Sequence, residues 1–282
     1  PGLFYFAKAK DHLDEARIHF VTFPYMDNTL TVAAIQGALA WEDPAANREY
    51  LDARIDAISR ADLVVLPEMF STGFSMRPQG LAEDKNGATL QWMLSKAAQK
   101  SMAIAGSLMV QDGTDYYNRF YFVEPGGEVT TYDKYHLFTL GGEHEPYTKG
   151  KGPVTVNYRG FKFFLQICYD LRFPVFSRNT MRYDAVLYVA NWPKTRILAW
   201  DTLLRARAIE NMAYCIGVNR LGIDGDGYEY TGHSGIYDAL GQTLAFANEN
   251  EAIITATISK SHINETRRKL NFLEDQDLFV LQ

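Results

Sequence analysis

Four short, almost uninterrupted apolar runs constrain the fold of this chain more than any other feature. They are residues 62–66 (DLVVL), Phe161–Ile167 (FKFFLQI), Ala185–Ala190 (AVLYVA) and Tyr214–Asn219 (YCIGVN). Short runs rich in β-branched and aromatic residues predict strands whose two faces are both buried, as in sheets covered by helices. The chain is therefore predicted to be an α/β protein.

Helical segments alternate with these strands. Asp43 and Pro44 predict a helix start, with Asp as N-cap and Pro at the first helical position, and Leu51, Ile55 and Ile58 share one face of that helix. Further elements are predicted from the same patterns: helices over 89–100 and 197–212, strands over 30–35, 102–110, 117–123 and 128–132, and a late strand pair over 236–246 and 252–258. No repeat or Pro/Ser-rich linker divides the chain, so we expect one domain with two sheets sandwiched by helices.

Composition and charge exclude several classes of protein. The chain has 28 Lys and Arg residues against 34 Asp and Glu, a formal net charge of −6, which argues against nucleic-acid or anionic-membrane binding. No apolar run approaches the roughly 18–20 residues of a membrane span. Its two cysteines exclude a disulfide framework and favour a reducing compartment, so we expect a cytoplasmic protein.

We interpret residues 1–28 as an extension, native or introduced, before a domain over 29–282; the alternative is a genuine N-terminal helix.

Chemically useful residues follow the predicted strands, where α/β sheets place their ligands. Glu68 comes after residues 62–66 and Pro67, and poor solvation there would suit it to accept a proton near neutral pH. Cys168 directly follows Phe161–Ile167 and is a candidate nucleophile, whereas Cys215 lies inside a strand and is predicted to be structural. Lys134 follows a third strand and could stabilise an oxyanion. The alternative for each is an ordinary role: a solvated or Arg-paired Glu68, a core Cys168 and a surface Lys134.

Two other chemistries have weaker support. His136, Glu143, His144 and Glu145 could form a metal cluster, but no HExxH spacing is present and adjacent glycines disfavour a regular helix. Residues 222–227 (GIDGDG) resemble a calcium or phosphate loop only loosely, since the bidentate Glu of an EF-hand is absent.

The motifs taken together resemble the nitrilase (carbon–nitrogen hydrolase) superfamily. The resemblance covers about residues 30–279 and rests on six segments in the family's order: 66–70 (LPEMF), 133–138 (DKYHLF), 167–174 (ICYDLRFP), 191–193 (NWP), 205–211 (RARAIEN) and 218–220 (VNR). It implies a four-layer α-β-β-α sandwich and a homodimer of back-to-back sandwiches, in which C-terminal segments can be exchanged.

The resemblance also implies the chemistry. Glu68 would act as base, Lys134 and the backbone N–H of Tyr169 would hold the oxyanion, and Cys168 would form a thioester, with neither metal nor organic cofactor. The family's second glutamate best matches Glu143, with Glu145 as the alternative. Residues 68–74 (EMFSTGF) and the Glu143-His144 pair look most like the bacterial omega-amidase branch, whose members deamidate small ω-amides of α-keto acids such as 2-oxoglutaramate and 2-oxosuccinamate. Alternatives are a nitrilase, carbamoylase or aliphatic amidase, a metal-dependent hydrolase, or a non-catalytic binding module.

Such a substrate carries a carboxylate, so a second cation is expected in the pocket. Arg196 is preferred because it follows Asn191-Trp192-Pro193, with Lys194 and Arg172 as alternatives. Arg172 could instead pair internally with Asp170 or Glu210. Aromatic side chains are expected to form the walls of the pocket and exclude water: Phe74, Tyr147 and Trp192.

Overall fold

The computed structural model describes residues 28–281. Its strands, in chain order, are β1 (Thr29–Gln36), β2 (Leu63–Val65), β3 (Glu83–Asp84), β4 (Ala103–Asp112), β5 (Asp115–Val123), β6 (Val129–Asp133), β7 (Val154–Tyr158), β8 (Phe161–Ile167), β9 (Ala185–Ala190), β10 (Tyr214–Asn219), β11 (Leu221–Ile223), β12 (Glu229–Thr231), β13 (Gly235–Tyr237), β14 (Thr243–Phe246) and β15 (Ala252–Ser259). Its α-helices are α1 (Pro44–Asp56), α2 (Ala88–Lys100), α3 (Pro174–Ser177), α4 (Ile197–Asn211) and α5 (Lys260–Leu270).

The strands of the described chain form two large sheets. The first has the order β15-β1-β2-β4-β5-β6, with β3 also paired to β4, and the second has the order β14-β13-β10-β9-β8-β7. Strands β1, β2 and β4 are parallel, as are β8, β9 and β10. In each sheet the carboxyl ends of the parallel strands therefore point to one edge, where ligands bind in α/β proteins.

Helices cover the outer faces of both sheets and complete four layers. Between the sheets, Val32 and Val65 of the first pack in one core with Phe163 and Leu187 of the second. On the far side of the first sheet, α1 and α2 bury Leu51, Ile55 and Met93 against it. On the far side of the second sheet, α4 lies so close to β10 that a Cβ on Gly217 would stand 2.4 Å from a Leu204 methyl carbon. The predicted α-β-β-α sandwich is confirmed.

Local patterns predicted the elements well, and one pairing was wrong. Helix α1 begins as predicted, because the Asp43 carboxylate accepts the N–H of Ala46 at 3.0 Å. The late strand pair does not exist as such: residues 236–246 form the hairpin β13–β14 of the second sheet, whereas β15 pairs antiparallel with β1 in the first. Strand-like composition predicts a strand but does not identify the strand with which it pairs. In the structure β15 pairs with β1, which is distant in sequence, and forms the edge of the first sheet.

The proposed extension over residues 1–28 lies outside the described residues, apart from Asn28. Among the helices of residues 28–281, none combines the length and hydrophobicity that a membrane span requires.

Candidate active site

Three side chains predicted from distant parts of the sequence meet at one edge of the sandwich. Glu68 follows β2, Lys134 follows β6 and Cys168 follows β8. The Lys134 ammonium donates a hydrogen bond of 2.8 Å to Glu68 Oε1, and both side chains are fully buried. Residues separated by 66 positions thus form a buried ion pair at the carboxyl ends of their strands.

Glu143, the second predicted glutamate, also binds Lys134. Its Oε1 accepts a hydrogen bond from the Lys134 ammonium at 3.0 Å, and its Oε2 lies 2.8 Å from the ammonium nitrogen and accepts the backbone N–H of Phe138 at 2.6 Å. Glu145, the alternative, is exposed. Glu143 follows a 3-10 helix at Thr139–Gly141 and the left-handed Gly142, a turn that directs it inward. The structure therefore brings Glu143, and not Glu145, to the lysine.

Electrostatics keep this lysine charged despite its burial. Burial lowers the pKa of Lys134, but the adjacent Glu143 and Glu68 outweigh it and hold the pKa well above its ordinary value. Burial raises the pKa of Glu143, and Lys134 opposes that rise. Two carboxylates and one ammonium thus stand together in a site without bulk water.

Asn191 fixes the remaining side of Glu68. Its backbone N–H donates to Glu68 Oε2 at 2.8 Å, and its side-chain amide donates to the Glu68 backbone carbonyl at 2.6 Å. Asn191 directly follows β9, so these bonds join the second sheet to the first. The sequence marked this position only through the 191–193 segment and assigned no contact to it.

Cys168 occupies a strained turn between β8 and a short 3-10 helix, Cys168–Arg172. Its φ of +44° lies in the left-handed region, which costs a non-glycine residue about 1 kcal/mol or more. The side chain is half-buried, and Sγ lies 3.8 Å from the carbonyl oxygen of Asn191. Tyr169 stands in the first turn of the 3-10 helix, where N–H groups have no acceptor within the helix.

Burial raises the pKa of the Cys168 thiol well above its ordinary value, and the negative charge of Glu68 raises it further, while Lys134 opposes both. A thiol with a raised pKa needs a base to form the thiolate, which is the nucleophilic species. Glu68 is a carboxylate close to Cys168 and could serve as that base.

A second network fixes the turn that carries Cys168. Asp170 is fully buried and accepts the Tyr132 hydroxyl at 2.8 Å, the Ile167 backbone N–H at 2.9 Å and, through its other oxygen, the His136 ring at 2.7 Å. The loop after Lys134 and the turn after β8 are thereby held together.

The residues of the possible metal cluster separate in space. His136 pairs with Asp170, Glu143 with Lys134, and both His144 and Glu145 are exposed. Across residues 28–281, no group of three or more His, Cys, Asp and Glu side chains is arranged to hold a metal.

A cavity of about 290 Å³ opens onto Cys168. Among the predicted substrate-binding residues, Phe74, Trp192 and Arg196 line it, and Tyr169 lines it as well. Tyr147 does not: it is buried behind the cavity, where its hydroxyl donates to the Ser75 carbonyl at 2.7 Å. An aromatic side chain is expected to be buried, and Tyr147 is, but it packs with Met69 and Met109 instead of facing the cavity.

Two arginines face this cavity, and each lies against an aromatic ring. The Arg172 guanidinium lies 4.9 Å from the Trp192 ring centre, and that of Arg196 lies 5.2 Å from the Phe138 ring centre. Within the described chain neither makes an ion pair, so Arg172 does not pair with Asp170 or Glu210. Lys194, the third candidate, is exposed and pairs with Glu229 at 2.8 Å, away from the cavity.

The GIDGDG segment forms the hairpin between β11 and β12 at the cavity mouth. Asp224 accepts the Tyr230 hydroxyl at 2.7 Å and the backbone N–H groups of Asp226 and Tyr228. Its carboxylate therefore stabilises the hairpin itself, and Asp224, Asp226, Tyr228 and Tyr230 line the cavity.

Comparison with known proteins agrees with this geometry. The family described as Carbon-nitrogen hydrolase matches residues 31–268. The chain belongs to the carbon–nitrogen hydrolase family. As a carbon–nitrogen hydrolase, it is an enzyme that hydrolyses carbon–nitrogen bonds other than peptide bonds.

Relatives of this carbon–nitrogen hydrolase span almost its whole length. It is 44% identical over 255 residues to the omega-amidase YafV of Escherichia coli (strain K12), covering 89% of this chain and 98% of the relative. It is 34% identical over 257 residues to the 2-oxoglutaramate amidase of Bacillus subtilis (strain 168), covering 88% and 99%. Among solved structures, XC1258 of Xanthomonas campestris, a CN-hydrolase superfamily protein with an arsenic adduct in its active site, superposes with a TM-score of 0.88 at 41% identity, covering 90% and 99%.

Proposed function

We propose that this enzyme is an omega-amidase, which releases ammonia from small ω-amides of α-keto acids such as 2-oxoglutaramate and 2-oxosuccinamate. The observation that carries the proposal is one cavity with Cys168 beside a buried Glu68–Lys134–Glu143 cluster and two arginines that form no ion pair with any residue of 28–281. The names of the E. coli and B. subtilis relatives support the same substrate class.

In the first half of the reaction, Glu68 takes the proton of the Cys168 thiol, and Sγ forms a bond to the amide carbon. The Lys134 ammonium has three N–H donors, and its two carboxylate partners leave one for the oxyanion. The backbone N–H of Tyr169 supplies a second donor, and loss of one such donor typically costs about 3 kcal/mol of transition-state stabilisation. Glu68 then protonates the departing nitrogen, the carbon–nitrogen bond breaks, and ammonia leaves a thioester.

In the second half, Glu68 takes a proton from water, and the hydroxide oxygen bonds to the thioester carbon. The carbon–sulfur bond breaks, the Cys168 thiol recovers its proton from Glu68, and the keto dicarboxylate leaves. Glu143 holds Lys134 in place throughout, since its carboxylate forms a second buried ion pair with the ammonium beside that of Glu68. The sum is one amide and one water converted to one carboxylate and one ammonium ion, because ammonia takes up the proton that the new carboxylic acid releases, and no metal or organic cofactor takes part.

The far end of the substrate would bind the arginines. A guanidinium offers a carboxylate two parallel hydrogen bonds, and stacking on aromatic rings restricts each arginine while leaving its N–H groups available. We assign Arg196 to the carboxylate and Arg172 to the same anionic end of the cavity. Phe74, whose ring lies 5.1 Å from the Lys134 ammonium, and Trp192 would keep water from the reacting carbon.

A substrate panel tests the proposal. We expect ammonia release from 2-oxoglutaramate with a kcat/KM at least tenfold above that for an aliphatic nitrile, an N-carbamoyl amino acid or an uncharged aliphatic amide. Cys168→Ala should abolish turnover of every substrate, whereas Cys215→Ala in the core of β10 should retain it. Preference for the nitrile or the carbamoyl compound would reassign the enzyme within its family, and turnover by Cys168→Ala would end the nucleophile assignment.

We also propose that the enzyme is a homodimer formed through the outer face of the second sheet. Helix α4 exposes Leu198 (77%) and Ile209 (49%), and β14 of the same sheet exposes Leu244 and Phe246, apolar side chains that a second copy would cover. The C-terminal segment is also apolar and exposed, so an exchange of these segments between subunits would bury it.

Both cysteines are unpaired, which supports a cytoplasmic enzyme, and cell fractionation would test this.

A further inference from the structure

Asn118 is a fully buried amide on β5 that the sequence motifs do not single out. Its Nδ2 donates to Glu68 Oε1 at 2.8 Å and to Glu143 Oε1 at 3.0 Å. The Lys134 ammonium donates to the same two oxygens at 2.8 and 3.0 Å. A neutral amide and a cation therefore bridge the same pair of carboxylates and close a ring of four groups.

The backbone of Asn118 is part of the same arrangement. Its carbonyl oxygen accepts the backbone N–H of Lys134 at 3.0 Å, so β5 positions the lysine main chain as well as its two carboxylate partners. One residue thus sets the relative positions of all three charged groups.

These contacts decide which oxygen of Glu68 can take a proton. A carboxylate oxygen accepts about two hydrogen bonds, and Oε1 already accepts one from Asn118 and one from Lys134. Oε2 accepts one short bond, from the Asn191 backbone N–H at 2.8 Å, and one long contact of 3.4 Å from the Asn191 side-chain amide, which donates at 2.6 Å to the Glu68 backbone carbonyl, so Oε2 is the less tightly occupied oxygen. The thiol proton therefore goes to Oε2.

The neutrality of the amide also matters. With both glutamates ionised, the ring carries two negative charges and one positive charge, and the excess negative charge favours uptake of a proton from Cys168. A second cation in place of Asn118 would cancel that charge, whereas an amide stabilises both carboxylates and leaves it intact.

We propose that Asn118 is a positioning residue for the proton transfer: it occupies Oε1 of Glu68 and holds Glu68 and Glu143 at a fixed separation, so that Oε2 receives the thiol proton. This inference rests on the proposed role of Glu68 as base. The other titratable groups around the ring are Cys168, Tyr147, which lies near both carboxylates, and Tyr230, which lies near Cys168.

The first test is Asn118→Leu, which keeps the size of the side chain and removes both donors. We expect kcat/KM for 2-oxoglutaramate to fall about tenfold or more, as for other partners that orient a reacting group. The acidic limb of the pH profile of kcat/KM should move up by about one pH unit, because the ionised carboxylates lose a hydrogen-bond donor. The rate of Cys168 alkylation by iodoacetamide should show the same upward displacement.

The second test is Asn118→Asp, which donates only while its new carboxyl is protonated. Its activity should fall as pH rises, a change opposite in sign to that of Asn118→Leu. Asn179→Ala serves as the control, since it removes a fully buried amide that bonds backbone groups of Tyr183 and Asn211 instead. This variant should lower the melting temperature and leave the pH profile unchanged.

Unchanged pH profiles in both Asn118 variants, with losses that follow stability alone, would overturn the inference. Cys168→Ala separates this failure from that of the proposed function. If Cys168→Ala is inactive while the Asn118 profiles stay unchanged, only the role of Asn118 falls. If Cys168→Ala retains turnover, the cysteine mechanism falls first.

Discussion

Asn191 holds Glu68 from two sides, and the two residues belong to different sheets. The backbone N–H of Asn191 binds Glu68 Oε2 at 2.8 Å, and its side-chain amide binds the Glu68 carbonyl oxygen at 2.6 Å. The carbonyl oxygen of the same Asn191 lies 3.8 Å from Cys168 Sγ. One residue between the two sheets thus contacts both the proposed base and the proposed nucleophile, and any change that shifts the sheets relative to each other should reduce activity.

Glu68→Gln should separate nucleophile acidity from catalysis. The charge of Glu68 raises the pKa of Cys168, so its removal should lower that pKa and move the alkylation of Cys168 by iodoacetamide to lower pH. Amide hydrolysis should nevertheless fall by about 10²–10⁴-fold, because the general base is lost. Glu145→Gln, which changes an exposed glutamate two residues from Glu143, is the control for both measurements. An alkylation profile that stayed in place or moved upward would contradict this electrostatic account.

Arginine variants should change substrate affinity more than turnover. Arg196→Ala should raise KM for 2-oxoglutaramate by about 10–100-fold, the equivalent of a charged hydrogen bond, and should raise KM for an uncharged amide far less. Arg172→Ala should act in the same direction if it binds the same anionic end. Lys194→Ala is the matched control, since Lys194 pairs with Glu229 and does not line the cavity. An equal rise for charged and uncharged amides would remove the arginines from the carboxylate site.

Gly150→Ala should damage both stability and the lysine position. The Gly150 N–H donates to the Lys134 carbonyl at 2.9 Å, and a Cβ at Gly150 would stand 1.9 Å from the backbone oxygen of Asp133. The backbone before Lys134 must therefore move, which we expect to cost about 1–3 kcal/mol of unfolding free energy. Turnover should fall as well. Thermal unfolding and kcat/KM measure the two effects.

Gly152→Ala provides the comparison for that substitution. A Cβ at Gly152 meets no atom within 4 Å, and its backbone is outside the left-handed region. The same chemical change two residues away should leave both quantities near their original values. Similar losses in the two variants would show that the contact with Asp133 is not their cause.

A charge on the apolar face of α4 should dissociate the proposed dimer. Ile209→Lys introduces a cation on a surface that would be buried between subunits, so we expect a shift toward monomer in analytical ultracentrifugation. Val129→Lys, at a half-exposed position on β6 of the first sheet, should leave the sedimentation coefficient unchanged. Dimers that persist in Ile209→Lys would place the interface elsewhere.

Sequence alone predicted the local elements and the residues of the candidate site. Apolar runs predicted β8, β9 and β10 closely, and Asp43-Pro44 predicted the start of α1, because hydrophobic periodicity and capping depend on residues only a few positions apart. Glu68, Lys134 and Cys168 could be found because each follows a strand within a recognisable motif.

Only the tertiary structure decided which groups meet. β15 pairs with β1 across more than 200 residues, Asn118 reaches both carboxylates from the middle of a strand, and Tyr147 packs behind the cavity it was expected to line. The turn after Gly142 brings Glu143 to Lys134 and leaves Glu145 exposed. A surface ion pair with Glu229 holds Lys194 away from the cavity that Arg172 and Arg196 line. Such contacts depend on the register and packing of the two sheets, which sum interactions over the whole chain and leave no short-range pattern in the sequence.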